Sequence, residues 1–304
     1  MSASFVSPGG AGAPRSCFVD DGGIRWRMTV RGEGPVALLV HGAGASSHSF
    51  AKLSERLARR FTAVAIDLPG HADTRVLRSF DPSLPRVADA LRRLDDKLEL
   101  RPELVIGHSA GVAVLLRWVL DGCARPPIVI ALAPALVPIR GLVGGVFRSA
   151  AAVLGASIAP KGIAIGMATT ARVDSILRGV GSVLDAAGVE AYRELIARPE
   201  HVRGVLSMMA RWDVVPVYDA LPTLSVPVLV VAGADDRAIS LAQVREATAR
   251  LRHATLLVLP GVGHLLHEEQ PDQVATAIND YVDRQQRPDH AHNARARGGH
   301  PWPC

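Results

Sequence analysis

The amino-acid sequence predicts an α/β fold: a mostly parallel, doubly wound sheet that carries an inserted helical cap. The first observation is a series of short β-branched apolar runs, each followed by a loop and a helical pattern, at Val36–His41, Thr62–Asp67, Glu103–His108, Pro127–Leu132, Val226–Gly233 and Thr255–Pro260. These runs are continuously apolar, which is typical of parallel strands with helices on both faces. The second observation is a long, largely helical stretch, Ala133–Leu224, which interrupts the series.

The other segments are assigned in order from their patterns. Residues 1–15 are expected to be a flexible N-terminus, and Ile24–Gly34, which alternates apolar and polar residues, predicts an edge strand of a hairpin. Residues 16–132 and 225–284 form the predicted core. Residues 133–224 are expected to pack as a helical cap over the C-terminal ends of the strands, because long structureless loops are uncommon. Residues 285–304 have no apolar period and are predicted to be disordered.

Composition narrows the function classes. The 304 residues, 48% apolar and 21% charged, suit one globular domain with an insertion. The net charge is +5, but arginines alternate with acids, as in Arg92–Glu103, and this argues against nucleic-acid binding. Cys17, Cys123 and Cys304 contain no CxxC spacing, which argues against a disulfide framework or a metal cage. With no secretory signal pattern, we expect a cytoplasmic protein.

A candidate nucleophile follows the third run. Gly107-His108-Ser109-Ala110-Gly111 lies between a predicted strand and a predicted helix, the arrangement that a nucleophile elbow requires. Ser109 would then stand at a helix N-terminus, where backbone N–H groups favour developing negative charge. The alternative is a serine of a tight structural turn whose chemistry is unused.

A serine hydroxyl needs a base and an orienting acid, and both residue types follow later predicted strands. Asp235 and Asp236 come after Val226–Gly233, and His264 comes after Thr255–Pro260. The order serine, acid, histidine is that of one hydrolase class. These residues therefore predict a triad of Ser109, His264 and one of the two aspartates.

Metal and nucleotide sites are less well supported. His264 and His267 form an HxxH pair with no third ligand nearby in sequence. Gly42 and Gly44 could begin a dinucleotide fingerprint, but Ser47 occupies the third glycine position. The chain also lacks a P-loop motif. We therefore expect no metal and no cofactor.

Taken together, these motifs resemble the α/β-hydrolase family over Gly23–Arg284. The family pattern Gly-x-x-Asp ends at Asp236, and the pattern around His264 continues to Glu269 and Pro271, so the resemblance implies a triad of Ser109, Asp236 and His264. The His-Gly-x-Gly loop implies an oxyanion hole formed by the backbone N–H groups of Ala43 and Ala110. One departure is Ala72, which replaces the second glycine of the family's Asp-x-x-Gly-x-Gly turn.

Within this fold, the predicted cap resembles the magnesium chelatase accessory proteins of bacteriochlorophyll biosynthesis. The matching residues are Gly181–Asp185, His201-Val202 with Gly204, Met208–Asp213 and the loop Gly44–Phe50. The resemblance implies a tetrapyrrole-related or other small apolar substrate, and magnesium chelatase subunits as partners. It also implies a cytoplasmic place peripheral to the photosynthetic membrane.

The substrate pocket is expected beside the elbow. Its candidate residues are His41, Gly42, Gly44, His108, Met208, Met209 and Trp212. The helical spacing of Met208, Met209 and Trp212 fits core packing as well. The glycine-rich stretch Gly141–Gly166 could form a lid or lean on a membrane surface, but its uncharged part is too short to span a bilayer.

Three functions are consistent with these residues. The first is a serine hydrolase that acts in the tetrapyrrole pathway. The second is a non-catalytic accessory that binds porphyrin or the chelatase, and the third is a general carboxylesterase or carbon–carbon hydrolase. An epoxide hydrolase or dehalogenase is disfavoured because the elbow carries serine instead of aspartate.

Overall fold

A computed structural model describes residues 4–6, 13–77, 80–122, 128–138, 141–157 and 159–286. Ten strands occur in these residues: β1 Ser4–Val6, β2 Arg15–Asp21, β3 Ile24–Arg31, β4 Val36–Val40, β5 Thr62–Ile66, β6 Arg75–Val76, β7 Leu104–His108, β8 Ile128–Leu132, β9 Val228–Gly233 and β10 Ala254–Leu259. Five of the six apolar runs contain the strands β4, β5, β7, β8 and β9, and the sixth run overlaps β10, which begins one residue earlier, at Ala254.

The helices within the described residues follow in chain order. They are α1 Ala51–Leu57, α2 Leu84–Leu98, α3 Ala110–Leu120, α4 Gly141–Ala156, α5 Ala159–Met167, α6 Thr170–Gly179, α7 Ala186–Ile196, α8 Pro199–Ala210, α9 Val215–Ala220, α10 Leu241–Ala249, α11 Leu266–Glu269 and α12 Pro271–Gln286. Short 3₁₀ helices cover Ser47–Phe50 and Leu221–Thr223.

The strands form one sheet in the order β1-β2-β3-β5-β4-β7-β8-β9-β10, with β6 paired to β3. The pairings from β5 through β10 are parallel, whereas those of β1, β2, β3 and β6 are antiparallel. The predicted mostly parallel α/β fold is therefore confirmed.

The prediction of an edge position for the Ile24–Gly34 strand is wrong. β3 lies inside the sheet, with β2 on one side and β5 on the other. Its alternating burial has a different cause: even-numbered residues such as Trp26 and Met28 face the core, and odd-numbered residues such as Arg25 and Arg27 are more exposed. An alternating pattern shows that one face of a strand is buried, but it does not show the position of the strand in the sheet.

The chain termini differ in part from expectation. Ser4–Val6 lies in the segment expected to be flexible, but it pairs antiparallel with β2, and β2 itself begins at Arg15. Phe5 and Val6 are residues that favour strands. The predicted tail beyond Gln286 and the cysteines Cys123 and Cys304 lie outside the described residues.

Alternate residues of the parallel strands pack into two apolar layers. Leu38 of β4 and Val105 of β7 face the layer formed with α2 and α3, whereas Leu39 and Ile106 face the layer formed with α1 and α12. Both layers are buried, which explains why these strands read as continuous apolar runs.

The predicted cap region contains the six helices α4–α9. Helix α8 packs against α4, α5 and α7. Val217 and Tyr218 of α9 belong to the same apolar layer as α3 and β9, so the end of this region packs on the sheet. No single helix among the described residues is long and apolar enough to cross a membrane; Ser149–Ala156 and Ala159–Met167 meet that criterion only as a pair, bent by 93°.

Candidate active site

The candidate nucleophile sits in a strained turn at the end of β7. Ser109 has φ 51° and ψ −116°, a backbone conformation that residues other than glycine rarely adopt. It directly precedes the first residue of α3. Its backbone N–H donates to the carbonyl of Leu132 at 2.9 Å, and its own carbonyl accepts from Val112 N–H at 3.2 Å. The neighbouring strand β8 and the first turn of α3 therefore hold the turn, and the Ser109 side chain is half-buried.

The two glycines of the elbow are required by close packing. A Cβ atom at Gly111 would lie 2.2 Å from the carbonyl oxygen of Val40, and one at Gly107 would lie 2.7 Å from Cα of Val112. Real Cβ contacts are essentially never below 3.0 Å. Strand β4 and helix α3 can approach this turn only because both positions lack a side chain.

The candidate acid and base are joined by a hydrogen bond. His264 Nδ1 donates to Asp236 Oδ2 at 2.8 Å. The other oxygen, Asp236 Oδ1, accepts from the backbone N–H groups of Ala238 at 2.8 Å and Ile239 at 2.9 Å. Asp236 is buried, whereas its neighbour Asp235 is exposed. Three hydrogen bonds thus fix the Asp236 carboxylate against the His264 ring.

The loop that carries His264 is held on both sides. Glu269 Oε1 accepts from Gly263 N–H at 3.2 Å, and Ser182 Oγ accepts from Leu265 N–H at 2.8 Å. A Cβ atom at Gly263 would lie 2.2 Å from the Gly181 carbonyl oxygen. Ser182 was not among the predicted site residues; the Gly181–Asp185 pattern in the sequence is the signal that marks it.

The serine turn and the histidine loop are joined through His108. Among the contacts of the described residues, no hydrogen bond joins the Ser109 hydroxyl to the His264 ring. The backbone carbonyl of His264 accepts a hydrogen bond at 3.0 Å from Nε2 of His108, the residue that precedes the serine. This bond ties the base loop directly to the nucleophile turn.

The predicted oxyanion loop is a β-turn. Ala45 N–H donates to the Gly42 carbonyl at 3.2 Å, which closes a turn with Ala43 and Gly44 at its centre. Gly44 has φ +81°, as the third residue of a type II turn requires. The closing bond does not use the Ala43 N–H. Ala43, Ser109 and Ala110 all line one cavity, so the structure brings the three predicted residues together.

That cavity has a volume of about 270 Å³ and is mostly apolar. The predicted residues Met208, Met209 and Trp212 are part of its lining. Other wall residues come from the segment after β8 and from the loop after β9: Ala135, Leu136, Val137, Pro138, Ala238 and Ile239. Asp213 and Gln243 are its polar lining residues apart from Ser109.

Four residues predicted to form the pocket are not among those that line this cavity. His41 is fully buried; Leu68 N–H donates to its Nε2 at 2.9 Å, and its Nδ1 donates to the Gly42 carbonyl at 2.7 Å. His108 is buried beneath the elbow. Gly42 leaves room for the elbow, since a Cβ there would lie 3.0 Å from Cβ of Ser109. The carbonyl of Gly44 contacts His201 on α8. These four residues contact the loops of the site without lining the cavity.

The sequence did not predict that several histidines around the site are buried together. Burial lowers the pKa values of His41, His48 and His201 to about 4 and that of His267 to about 3. Burial also holds the pKa values of His71 and His108 well below the usual range. These rings are therefore neutral at neutral pH. Helical and strand periodicity does not distinguish such residues from apolar ones, so the sequence offered no signal.

The described residues contain no group of three or more His, Cys, Asp and Glu side chains that could hold a metal ion. His267 of the HxxH pair is buried between the rings of Phe50, at a centroid distance of 4.8 Å, and His108, at 4.6 Å. The residues present thus offer ring contacts around His267 and no coordination set.

The turn in which Ala72 replaces the family glycine keeps the glycine conformation. Ala72 has φ 45°. Asp67, at the end of β5, accepts from Ser47 N–H at 2.7 Å through Oδ1 and from Asp73 N–H at 3.4 Å through Oδ2. Asp67 therefore links this turn to the oxyanion loop. Ala72 thus takes a left-handed backbone conformation at the position where the family has glycine.

Residues 37–277 match the family model described as the alpha/beta hydrolase family. The chain belongs to that family. This alpha/beta hydrolase is also 40% identical over 266 residues to the magnesium-chelatase 30 kDa subunit of Rhodobacter capsulatus, which covers 86% of this chain and 92% of the relative. The sequence-based resemblance to the chelatase accessory group is confirmed by that similarity.

Esterases are further relatives of this alpha/beta hydrolase. The chain is 30% identical over 277 residues to a pimeloyl-[acyl-carrier protein] methyl ester esterase of Xanthomonas campestris pv. campestris, covering 84% of this chain and 98% of the relative. A solved thermophilic esterase of Thermogutta terrifontis superposes with a TM-score of 0.70 at 26% identity, over 86% of this chain and 94% of the esterase. An alpha/beta hydrolase fold protein of Burkholderia ambifaria superposes with a TM-score of 0.73 at 24% identity, over 92% and 100%, and shows the shared fold.

Proposed function

We propose that this alpha/beta hydrolase is a serine hydrolase that cleaves an ester, thioester or related carbonyl compound, as an accessory to magnesium chelatase in bacteriochlorophyll biosynthesis. The observation that carries the hydrolase part is the hydrogen bond from His264 to the buried Asp236, at the same sheet edge as the strained Ser109 turn. A non-catalytic turn has no need of a buried acid that orients a histidine.

Each residue has a defined role in the proposed reaction. His264 takes the hydroxyl proton as Ser109 Oγ attacks the substrate carbonyl, and Asp236 stabilises the resulting imidazolium. The N–H groups of Ala43 and Ala110 receive the oxyanion, and each such donor contributes on the order of 3 kcal/mol to transition-state stabilisation. The His264 imidazolium donates its proton to the departing alcohol or thiol as the acyl-serine forms, and the neutral ring then activates a water that hydrolyses the acyl-serine to the free acid. We expect the Ser109–His264 hydrogen bond to form once substrate is bound, since catalytic hydrogen bonds often tighten in the complex.

The cavity supports a small or partly buried apolar substrate. Its volume of about 270 Å³ is just below the range of about 300–1,000 Å³ in which sites engulf drug-sized ligands. An acyl or alkyl group would fit, whereas a large tetrapyrrole ring would be only partly enclosed. Asp213 is the one charged residue in the described lining, so the enclosed group is expected to be uncharged.

The pathway assignment rests on the 40% identity to the magnesium-chelatase 30 kDa subunit, over 86% of this chain. Chelatase subunits are therefore the proposed partners. A cytoplasmic place beside the photosynthetic membrane is part of the proposal, supported by Val153 and Ile165, which are 70% and 83% exposed on the bent α4–α5 pair.

Active-site labelling tests the hydrolase. A fluorophosphonate probe is expected to label the folded protein at Ser109 and to leave Ser109→Ala unlabelled, with the adduct located by peptide mass spectrometry. Hydrolysis of short p-nitrophenyl esters should disappear in the same variant. An unlabelled, inactive but folded wild-type protein would refute the hydrolase.

A non-catalytic accessory is the second candidate, favoured by the similarity to the Rhodobacter capsulatus protein, which is named as a magnesium-chelatase subunit. Complementation of a null strain separates the two candidates. The hydrolase proposal expects Ser109→Ala to leave magnesium protoporphyrin low, whereas normal pigment with this variant would leave only a binding role.

A further inference from the structure

A histidine outside the triad reaches the oxyanion turn from helix α8. His201 is 2% exposed, and its Nε2 lies 3.2 Å from the carbonyl oxygen of Gly44. Its Nδ1 lies 3.0 Å from the backbone nitrogen of Ala72. An N–H group of Ala72 can only donate, so Nδ1 accepts and Nε2 carries the proton that it donates to Gly44. Both ring nitrogens are therefore engaged.

The helix that carries His201 is seated directly on the neighbouring turn. A Cβ atom at Gly204 would lie 1.9 Å from the carbonyl oxygen of Gly70, so only glycine permits this approach. The His71 ring packs edge-on against His201 at a centroid distance of 5.4 Å. These contacts leave the imidazole little freedom to rotate, which fixes the direction of its Nε2–H bond.

The hydrogen bond acts on the residue next to the proposed oxyanion donor. Gly44 shares the β-turn with Ala43 and has a φ of +81°. Because glycine is conformationally permissive, many ψ values are open to it at this φ. A donor on the Gly44 carbonyl selects one orientation of the following peptide and so restrains the turn. The same helix supplies Met208 and Met209 to the cavity wall. Helix α8 thus joins the substrate wall to the oxyanion turn.

We infer that His201 is a positioning residue that holds the Ala43 N–H in register with the oxyanion. The inference rests on the proposed hydrolase function. It accounts for a His-Val-x-Gly feature at 201–204 that the triad leaves unexplained. His201 touches no reacting atom and acts through the Gly44 carbonyl.

Two substitutions separate the two hydrogen bonds of His201. In His201→Asn the amide oxygen can take the place of Nδ1 and accept from Ala72, but the donor to Gly44 is lost. In His201→Gln the amide nitrogen can take the place of Nε2 and donate to Gly44. We expect His201→Asn to lower kcat for a p-nitrophenyl ester about tenfold with KM within threefold, and His201→Gln to keep kcat within threefold of wild type. Full loss of an oxyanion donor would lower kcat by roughly 10²–10³.

A second readout distinguishes positioning from general loosening. A trifluoromethyl ketone forms an oxyanion on the serine, so its affinity should fall in His201→Asn by the same factor as kcat. Tyr192→Phe is the control, because it removes a different hydrogen bond between the α6–α9 region and the core, that of Tyr192 OH to Glu268 at 2.7 Å. We expect the control to lower the Tm and to leave kcat within twofold.

The outcomes are separable. Equal kcat values in His201→Asn and His201→Gln overturn the inference, as does a ketone affinity that His201→Asn leaves unchanged. If His201→Asn does not fold, a tenfold loss of kcat in folded His201→Gln overturns it and a loss within threefold supports it. A wild-type protein that hydrolyses no ester and takes no fluorophosphonate refutes the hydrolase itself, which is a different result.

Discussion

At the scale of single residues, burial decides between two adjacent aspartates. Asp236 is buried, accepts two backbone hydrogen bonds and contacts His264, whereas Asp235 is exposed. We expect Asp236→Asn to lower kcat by about 10³–10⁴, because the amide favours the wrong tautomer of the histidine. Steady-state ester hydrolysis measures this change.

The neighbouring position provides the matched control. Asp235→Asn makes the same chemical change one residue away and should keep kcat within twofold. Similar losses in both variants would contradict the assignment of the acid to Asp236 and would point to a general disturbance of the loop after β9.

At the scale of elements, a buried carboxyl group joins α7 to α11. Tyr192 OH donates to Glu268 Oε1 at 2.7 Å, and burial raises the pKa of Glu268 to about 8. Around this pair, Ala45, Leu177, Val189 and Leu265 form an apolar cluster between the α6–α7 pair and the base loop. Folding must therefore protonate a group that is ionised in the unfolded chain above its ordinary pKa of 4.5.

The sign of the resulting pH dependence follows from proton uptake. Between pH 4.5 and 8 the folded state binds the proton and the unfolded state does not, so this group's contribution to stability falls as pH rises. Glu268→Gln keeps an acceptor for Tyr192 and removes the titration. We expect its gain in unfolding free energy over wild type to be larger at pH 8 than at pH 6 by about 2 kcal/mol.

Urea unfolding at the two pH values measures this gain. The control is Glu194→Gln, at an exposed position on α7, the helix that carries Tyr192, and it should show no such difference. A gain in Glu268→Gln that is equal at pH 6 and pH 8 would show that the Glu268 carboxyl is already ionised in the folded protein.

At the scale of the whole molecule, the buried histidines dominate the response to acid. Six of them have pKa values below the ordinary 6.5, with burial as the largest cause: His41, His48, His71, His108, His201 and His267. Below pH 6.5 the unfolded chain takes up protons that the folded chain excludes, so stability falls with pH. Burial raises the pKa values of the Glu268 and Asp95 carboxyls, and the opposing protons on these two groups are outnumbered.

We expect the protein to lose most of its stability between pH 6.5 and pH 5. Each excluded proton lowers the unfolding free energy by about 1.4 kcal/mol per pH unit, and typical domains have only about 5–15 kcal/mol in total. Urea titrations at pH 7 and pH 5.5 give the slope, and His267→Gln should reduce it by about one proton. A stability that is flat across this range would contradict the neutrality of the buried rings.

The sequence predicted the parallel strands and the motif residues because each follows from local pattern. Continuous apolar runs report burial on both faces, and the elbow, acid and base follow three of those runs directly. The place of β3 in the strand order depends on long-range pairing that alternation does not encode. The burial of His41 and His108 and the contact of His201 with the Gly44 carbonyl depend on how helices pack against loops. Local sequence patterns do not contain this information.

The strained backbone at Ser109 also bears on how related chains change over time. Holding a non-glycine residue at φ 51° costs about 1–3 kcal/mol, and glycine would adopt that conformation with little penalty. A lineage that had abandoned hydrolysis would gain stability from Ser109→Gly and would lose nothing else at the elbow. Genetic drift should therefore erase this serine from non-hydrolytic lineages, whereas purifying selection should retain it wherever its hydroxyl is used.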